Sequence, residues 1–158
     1  MKERLKSQVD SMKEFFERST RVLDEADSAF APVEGIFTVA QQVAHTAQTV
    51  EWFVQGAFSR DGFDLDFERL DREMRAVASL EAARAWLNRA WAAAAECIEA
   101  HSGAEWESPL PPGPIMGGAP RHTVFDALAD HTAHHRGSLA VYSRLLGKAP
   151  PMPYAEAM

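Results

Sequence analysis

Two histidines near the end of the chain, His131 and His135, stand four residues apart in Asp130-His131-Thr132-Ala133-His134-His135-Arg136-Gly137, inside a segment with helical periodicity. Four residues advance a helix by slightly more than one turn, so both imidazoles leave the same face and suit one divalent metal ion. Two hydrogen-bonded core or surface histidines would show the same spacing. The face on which they sit favours the metal. Val124, Leu128, His131, His135, Ser138, Tyr142 and Leu145 form a heptad-like stripe expected to point at the core. A buried ring without a partner costs on the order of 1–3 kcal/mol, so each needs a hydrogen bond, a metal or a water-filled cleft. His134 lies at the edge of the stripe and competes with His135 as an i, i+3 ligand, whereas Asp130 and Arg136 point away.

A catalytic zinc site usually takes three protein ligands and leaves a position for water or substrate. The second helical segment holds one candidate, His45. It follows Thr38 by seven residues, while His131 and His135 follow Thr123 by eight and twelve, so the depths match if the two helices run parallel. An antiparallel pair would need a stagger. Against His45, the apolar stripe Ile36, Ala40, Val43, Ala47, Val50 and Val54 lies on the opposite side, and its own neighbours are Gln41, Thr49 and Trp52. That pattern fits a surface histidine, or the wall of an open, hydrated groove around a reactive ion. His101 and His122 sit at helix ends beside loops and are expected in solvent. No Ser/His/Asp spacing, glycine-rich phosphate loop or HExxH motif is present.

The elements that must position these rings are four long helices, with no strand-like alternation anywhere. The first runs from about Lys2 to Asp27 with Leu5, Val9, Met12, Phe16 and Leu23 on one stripe. The second opens at a capping box, Thr38 to Gln41, and runs to about Phe58. Ser79 caps the third, which is rich in alanine and ends near His101. Thr123 reads as the cap of the fourth, and Gly147 with Pro150 and Pro151 ends it. Two connections of about 20 residues exceed the usual 2–8 between bundle neighbours. A crossover between the second and third helices explains one of them, with a short added helix over Asp66 to Arg75. The other, Ser108-Pro109-Leu110-Pro111-Pro112-Gly113-Pro114 through Gly118, reads either as a plain surface loop or as the cover of a cleft.

The 158 residues suit a single domain spanning the whole chain, and 46% hydrophobic with 25% charged residues is ordinary for a soluble globular protein. A net charge of −7 without any Lys/Arg-rich patch argues against nucleic acid as a partner. No run approaches the roughly 20 apolar residues of a membrane span, and the N-terminus is not a signal peptide. The one cysteine, Cys97, reads as a small buried thiol and fits a reducing cytoplasm.

Three parts of the chain resemble the DinB-like family of four-helix-bundle proteins. They are Val43-Ala44-His45, the His131-xxx-His135-Arg136-Gly137 segment, and the ending Leu146-Gly147-Lys148-Ala149-Pro150-Pro151-Met152-Pro153-Tyr154. The resemblance covers the chain in helix order. It implies an all-α, up-down-down-up four-helix bundle that tends to form homodimers. It also implies a divalent ion, zinc or nickel, held by His45, His131 and His135. An up-down-down-up bundle makes the second and fourth helices antiparallel, so the depth match would be coincidental. Ser138 stands where the family often has Gln. With Trp52 and Tyr142 it is an expected pocket residue. The implied function is a metal-dependent enzyme, a thiol-dependent transferase or hydrolase acting on a small molecule with a low-molecular-weight thiol. The competing class is a non-catalytic metal-binding or stress-associated dimer.

Overall fold

The structure is a computed structural model that describes residues 1–155. Among these, six α-helices form: α1 (Lys2–Thr20), α2 (Val39–Phe58), α3 (Phe67–Arg75), α4 (Leu80–Ala100), α5 (Gly103–Glu107) and α6 (Val124–Leu145). No strand is present among them beyond an isolated bridge between Pro109 and Pro120. Among the described residues no helix is long and apolar enough to cross a membrane.

Side-chain contacts at the helix ends give the directions. Arg84, at the start of α4, donates to the carbonyls of Thr20 and Leu23 at the end of α1, so these two helices run antiparallel. Gln8 donates to the Phe125 carbonyl and Arg18 to that of Pro153, so α1 and α6 run parallel. Tyr142 reaches the Phe37 carbonyl while Arg121 reaches that of Ala57, which sets α2 and α6 antiparallel. Ser28 ties the starts of α2 and α4 together, accepting from the Ala40 amide at its carbonyl and from the Leu80 amide at its hydroxyl. The four long helices therefore run up, down, down, up. The crossover between α2 and α4 carries α3.

Local chemistry explains most boundaries. Thr38 and Gln41 form the reciprocal box at the start of α2, and Ser79 accepts from the Ala82 amide at the start of α4. α3 fills the expected Asp66–Arg75 segment with Asp66 as its cap. α1 ends at Thr20, earlier than its periodicity suggests, because the Asp24 and Asp27 carboxylates take backbone amides into a separate 3-10 turn, Glu25–Asp27. Thr123 stands at the N-cap of α6, as expected, but its side chain makes no cap bond. Its hydroxyl donates to the Pro120 carbonyl at 2.7 Å instead, inside the 3-10 turn Arg121–Thr123. Gly147, at φ +76°, closes α6 in a Schellman motif: its amide bonds the Arg144 carbonyl and the Lys148 amide that of Ser143.

The core lies between α2 and α4, where alanines on both helices (Ala40, Ala44, Ala47, Ala83, Ala90 and Ala94) are wholly buried and allow close approach. Because α3 and α6 also pack on α2, that helix is buried nearly all round. The proline-rich segment closes the far end of the bundle. Leu110 is buried there, its amide bonded to the Ala119 carbonyl, and α5 inserts Trp106 beneath Phe58.

Candidate metal centre

The contact between Phe37 and Tyr142 sets the register of the site. Eight residues from Phe37 along α2 is about 12 Å; seven and eleven residues back from Tyr142 along α6 are about 10 and 16 Å. His45 therefore falls between His135 and His131, although the helices run antiparallel and the count from the two helix starts does not describe the pair. Ring centroids lie 5.0 Å apart for His45 and His131, 4.9 Å for His45 and His135, and 4.4 Å for His131 and His135.

One ligand atom from each ring lies within 4.8 Å of the others, and Nε2 of His131 and Nε2 of His135 are 3.2 Å apart. Nitrogens bound at 2.0–2.1 Å in a tetrahedral zinc site stand about 3.4 Å from one another, so the His131–His135 pair already has that spacing and His45 lies within reach of the same ion. Nδ1 of His45 and Nδ1 of His131 are buried with no hydrogen-bond partner among the described residues. Burial pushes all three imidazoles toward the neutral form that a metal requires. His131 is lowered to about 4 and His135 to about 3, with mutual repulsion adding to desolvation, and His45 is lowered by desolvation against the opposing pull of Asp71.

A chain of hydrogen bonds behind His135 decides which of its nitrogens carries the proton. It ends on the Phe37 carbonyl, which accepts only, so the Tyr142 hydroxyl donates to it at 3.1 Å. The same hydroxyl accepts from Gln42 Nε2 at 3.3 Å, which turns Gln42 Oε1 toward Nδ1 of His135 at 2.5 Å. Nδ1 must therefore carry the proton, and Nε2 presents its lone pair to the centre. Gln42 is the residue that sequence reasoning missed. Its signal was available: it precedes His45 by three residues and so shares its helix face.

Beside the rings a cavity of about 400 Å³ opens between α2 and α3, reached by His45 and His131 and walled in part by Trp52. Tyr142 and Ser138 do not line it. Tyr142 is buried behind His135, and Ser138 donates to the His134 carbonyl on a half-buried flank of α6. The strip of α2 that carries His45, Thr49 and Trp52 does form one wall of this cavity, but α3 lies over it, held by Gln41, Gln48 and Trp52, which donate to the carbonyls of Arg75, Leu70 and Asp64.

The remaining histidines lie outside the cluster. His134 is exposed with its ring against that of His135. His101 is not in solvent: it stacks on Phe58 at 3.5 Å, and one helical turn before it Cys97 lies 3.7 Å from its Nδ1. That nitrogen pairs with the Cys97 carbonyl at 2.9 Å, and burial pushes the thiol up to about 11, so the thiol is not activated. His122 is half-buried beside Glu107 and Arg4. The proline-rich segment contributes no residue to the cavity, since it is committed to the far end of the bundle.

Compared with family models, residues 8–139 match the one described as the DinB superfamily. No curated protein matches the chain.

Proposed function

The chain belongs to the DinB superfamily, and on that premise we propose that His45, His131 and His135 hold one divalent ion, zinc or nickel, for thiol-dependent transfer or hydrolysis. The observation that carries the reading is the convergence of three neutral imidazoles within 4.8 Å, with no carboxylate among them. Three neutral ligands leave the ion its full charge, so when bound it acidifies a water or thiol toward neutrality and supplies a nucleophile.

The chain's own residues prepare that chemistry. Gln42 and Tyr142 keep the proton of His135 on Nδ1. The Phe37 ring lies 5.3 Å from that of His45, and the Arg75 guanidinium lies over the Phe37 ring at 4.8 Å. Asp71 is the one carboxylate lining the cavity among the described residues, and it is paired with Arg75.

Elemental analysis of protein prepared without a histidine tag tests the reading. One equivalent of metal per chain is expected, with loss of that equivalent in His45→Ala, His131→Ala and His135→Ala. Unchanged stoichiometry in all three would sink the site. Metal-loaded and metal-stripped protein, screened against electrophiles with several cellular thiols, then separates enzyme from binding protein: turnover that needs the metal supports the enzyme, and none across the panel supports the non-catalytic reading.

A further inference from the structure

We propose that the cavity between α2 and α3 receives the uncharged, apolar part of the substrate, an aromatic ring or a branched hydrocarbon, and excludes anions. That this ligand is a substrate rests on the metal reading above. The chemistry of the cavity does not.

The volume of about 400 Å³ lies in the range of small-molecule sites. Trp52, Phe53, Phe67, Leu70 and Met74 form most of its wall, and His45 and His131 form one end. An apolar group seated there would present an attached reactive carbon to the three-histidine centre. Away from the histidines, most polar side chains of the wall are engaged with protein, Thr49 excepted: Trp52 Nε1 donates to the Asp64 carbonyl at 2.7 Å, and Gln48 Nε2 to that of Leu70 at 2.8 Å. Asp71 pairs with Arg75 Nε at 2.8 and 3.0 Å.

A polar ligand would therefore lose its water and find few new partners, whereas an apolar one loses nothing. Among the described residues no lysine or arginine lines the cavity, and Arg75 outside it is already paired with Asp71, so an anion inside would find no free cation to pair with. Phe67 lies 54% exposed at the first turn of α3 while also lining the cavity. Its position marks the mouth, and gives that exposed aromatic ring a reason. The charged groups of a small thiol would then stay on the solvent side of the ion while the apolar half of the electrophile lies inside.

Two fluorescent probes with the same rings test this: neutral N-phenyl-1-naphthylamine and its sulfonated analogue 1-anilinonaphthalene-8-sulfonate, each titrated into metal-free and zinc-loaded full-length protein. One-site binding of the neutral probe is expected, about ten-fold or more tighter than the sulfonate. Leu70→Asp, which puts a charge in the wall, and Phe67→Ala, at an exposed position that folding tolerates, should each weaken it by about ten-fold. Equal affinity for the two probes, or indifference to both variants in folded protein, overturns the proposal. The two readings fail separately. Selective neutral-probe binding without any metal uptake defeats only the metal centre, and metal uptake without such binding defeats only the cavity.

Discussion

Replacing Gln42 by leucine removes one acceptor and one donor from the chain behind His135 at nearly constant volume. The Nδ1–H of His135, now 2.5 Å from Gln42 Oε1, would be left buried and unpaired. Such a group costs about 1–3 kcal/mol, and the ring escapes the cost by moving its proton to Nε2, the atom that faces His131. A metal must then drive the proton back before His135 ligates. Loss of a second partner to a metal-bound histidine typically lowers affinity about 10–100-fold. That factor corresponds to about 1.4–2.8 kcal/mol, so the two routes to the magnitude agree.

The assay is competition for Zn²⁺ against a chromophoric chelator, with Co²⁺ absorption reporting the ligand set and circular dichroism the fold. Gln42→Glu keeps an acceptor and should retain affinity to within about five-fold, while Tyr142→Phe removes only the group that orients the amide and should cost about three-fold. A folded Gln42→Leu protein that binds Zn²⁺ within about two-fold of the parent would refute the argument that Gln42 sets the tautomer.

Two further outcomes follow from the same geometry. His131 at about 4 and His135 at about 3 lie below the ordinary histidine value near 6.5, so the unfolded chain takes up protons that the metal-free folded state refuses. Their contribution to stability is complete above about pH 6.5 and is lost as the pH falls toward 4 and then 3; the urea midpoint of metal-free protein should fall across that window more steeply than that of His131→Gln, and parallel curves would count against it. Gly56→Ala would place a Cβ 2.2 Å from the Phe63 ring, which packs on Trp52 and Phe53 at centroid distances of 4.7 and 5.7 Å. Displacing that ring should cost about 1–3 kcal/mol, outweighing the roughly 1 kcal/mol gained in helix propensity, and a raised melting temperature would show that the ring yields freely.

The expected apolar stripe on α6 shows where periodicity stops informing. A heptad repeat drifts by about 20° per two turns relative to a straight helix. Starting from Val124 and Leu128, the stripe holds for His135 and Tyr142 but puts Ser138 and Leu145 inside, where the helix instead buries Leu139 and Ser143 and leaves Leu145 60% exposed. α2 shows the complementary failure. Pattern analysis assumes one wet face, and a helix packed on three others has almost none, so His45 resembled a surface residue while standing against the half-buried ring of His131 and the buried ring of His135.

What the amino-acid sequence determined by itself is local: the all-helical class, the box at Thr38 and Gln41, the cap at Ser79, the short helix over Asp66 to Arg75, the stop at Gly147, and the shared face of His131 and His135. Each depends on groups within about one turn of each other, where backbone geometry leaves little choice. Tertiary structure alone decided that His45 meets that pair across antiparallel helices, that Gln42 and Tyr142 fix a proton, and that α3 lies over a cavity which the polar strip of α2 had suggested was open. These contacts join residues up to about a hundred positions apart, and their register follows from how two helices pack, which no short-range pattern encodes.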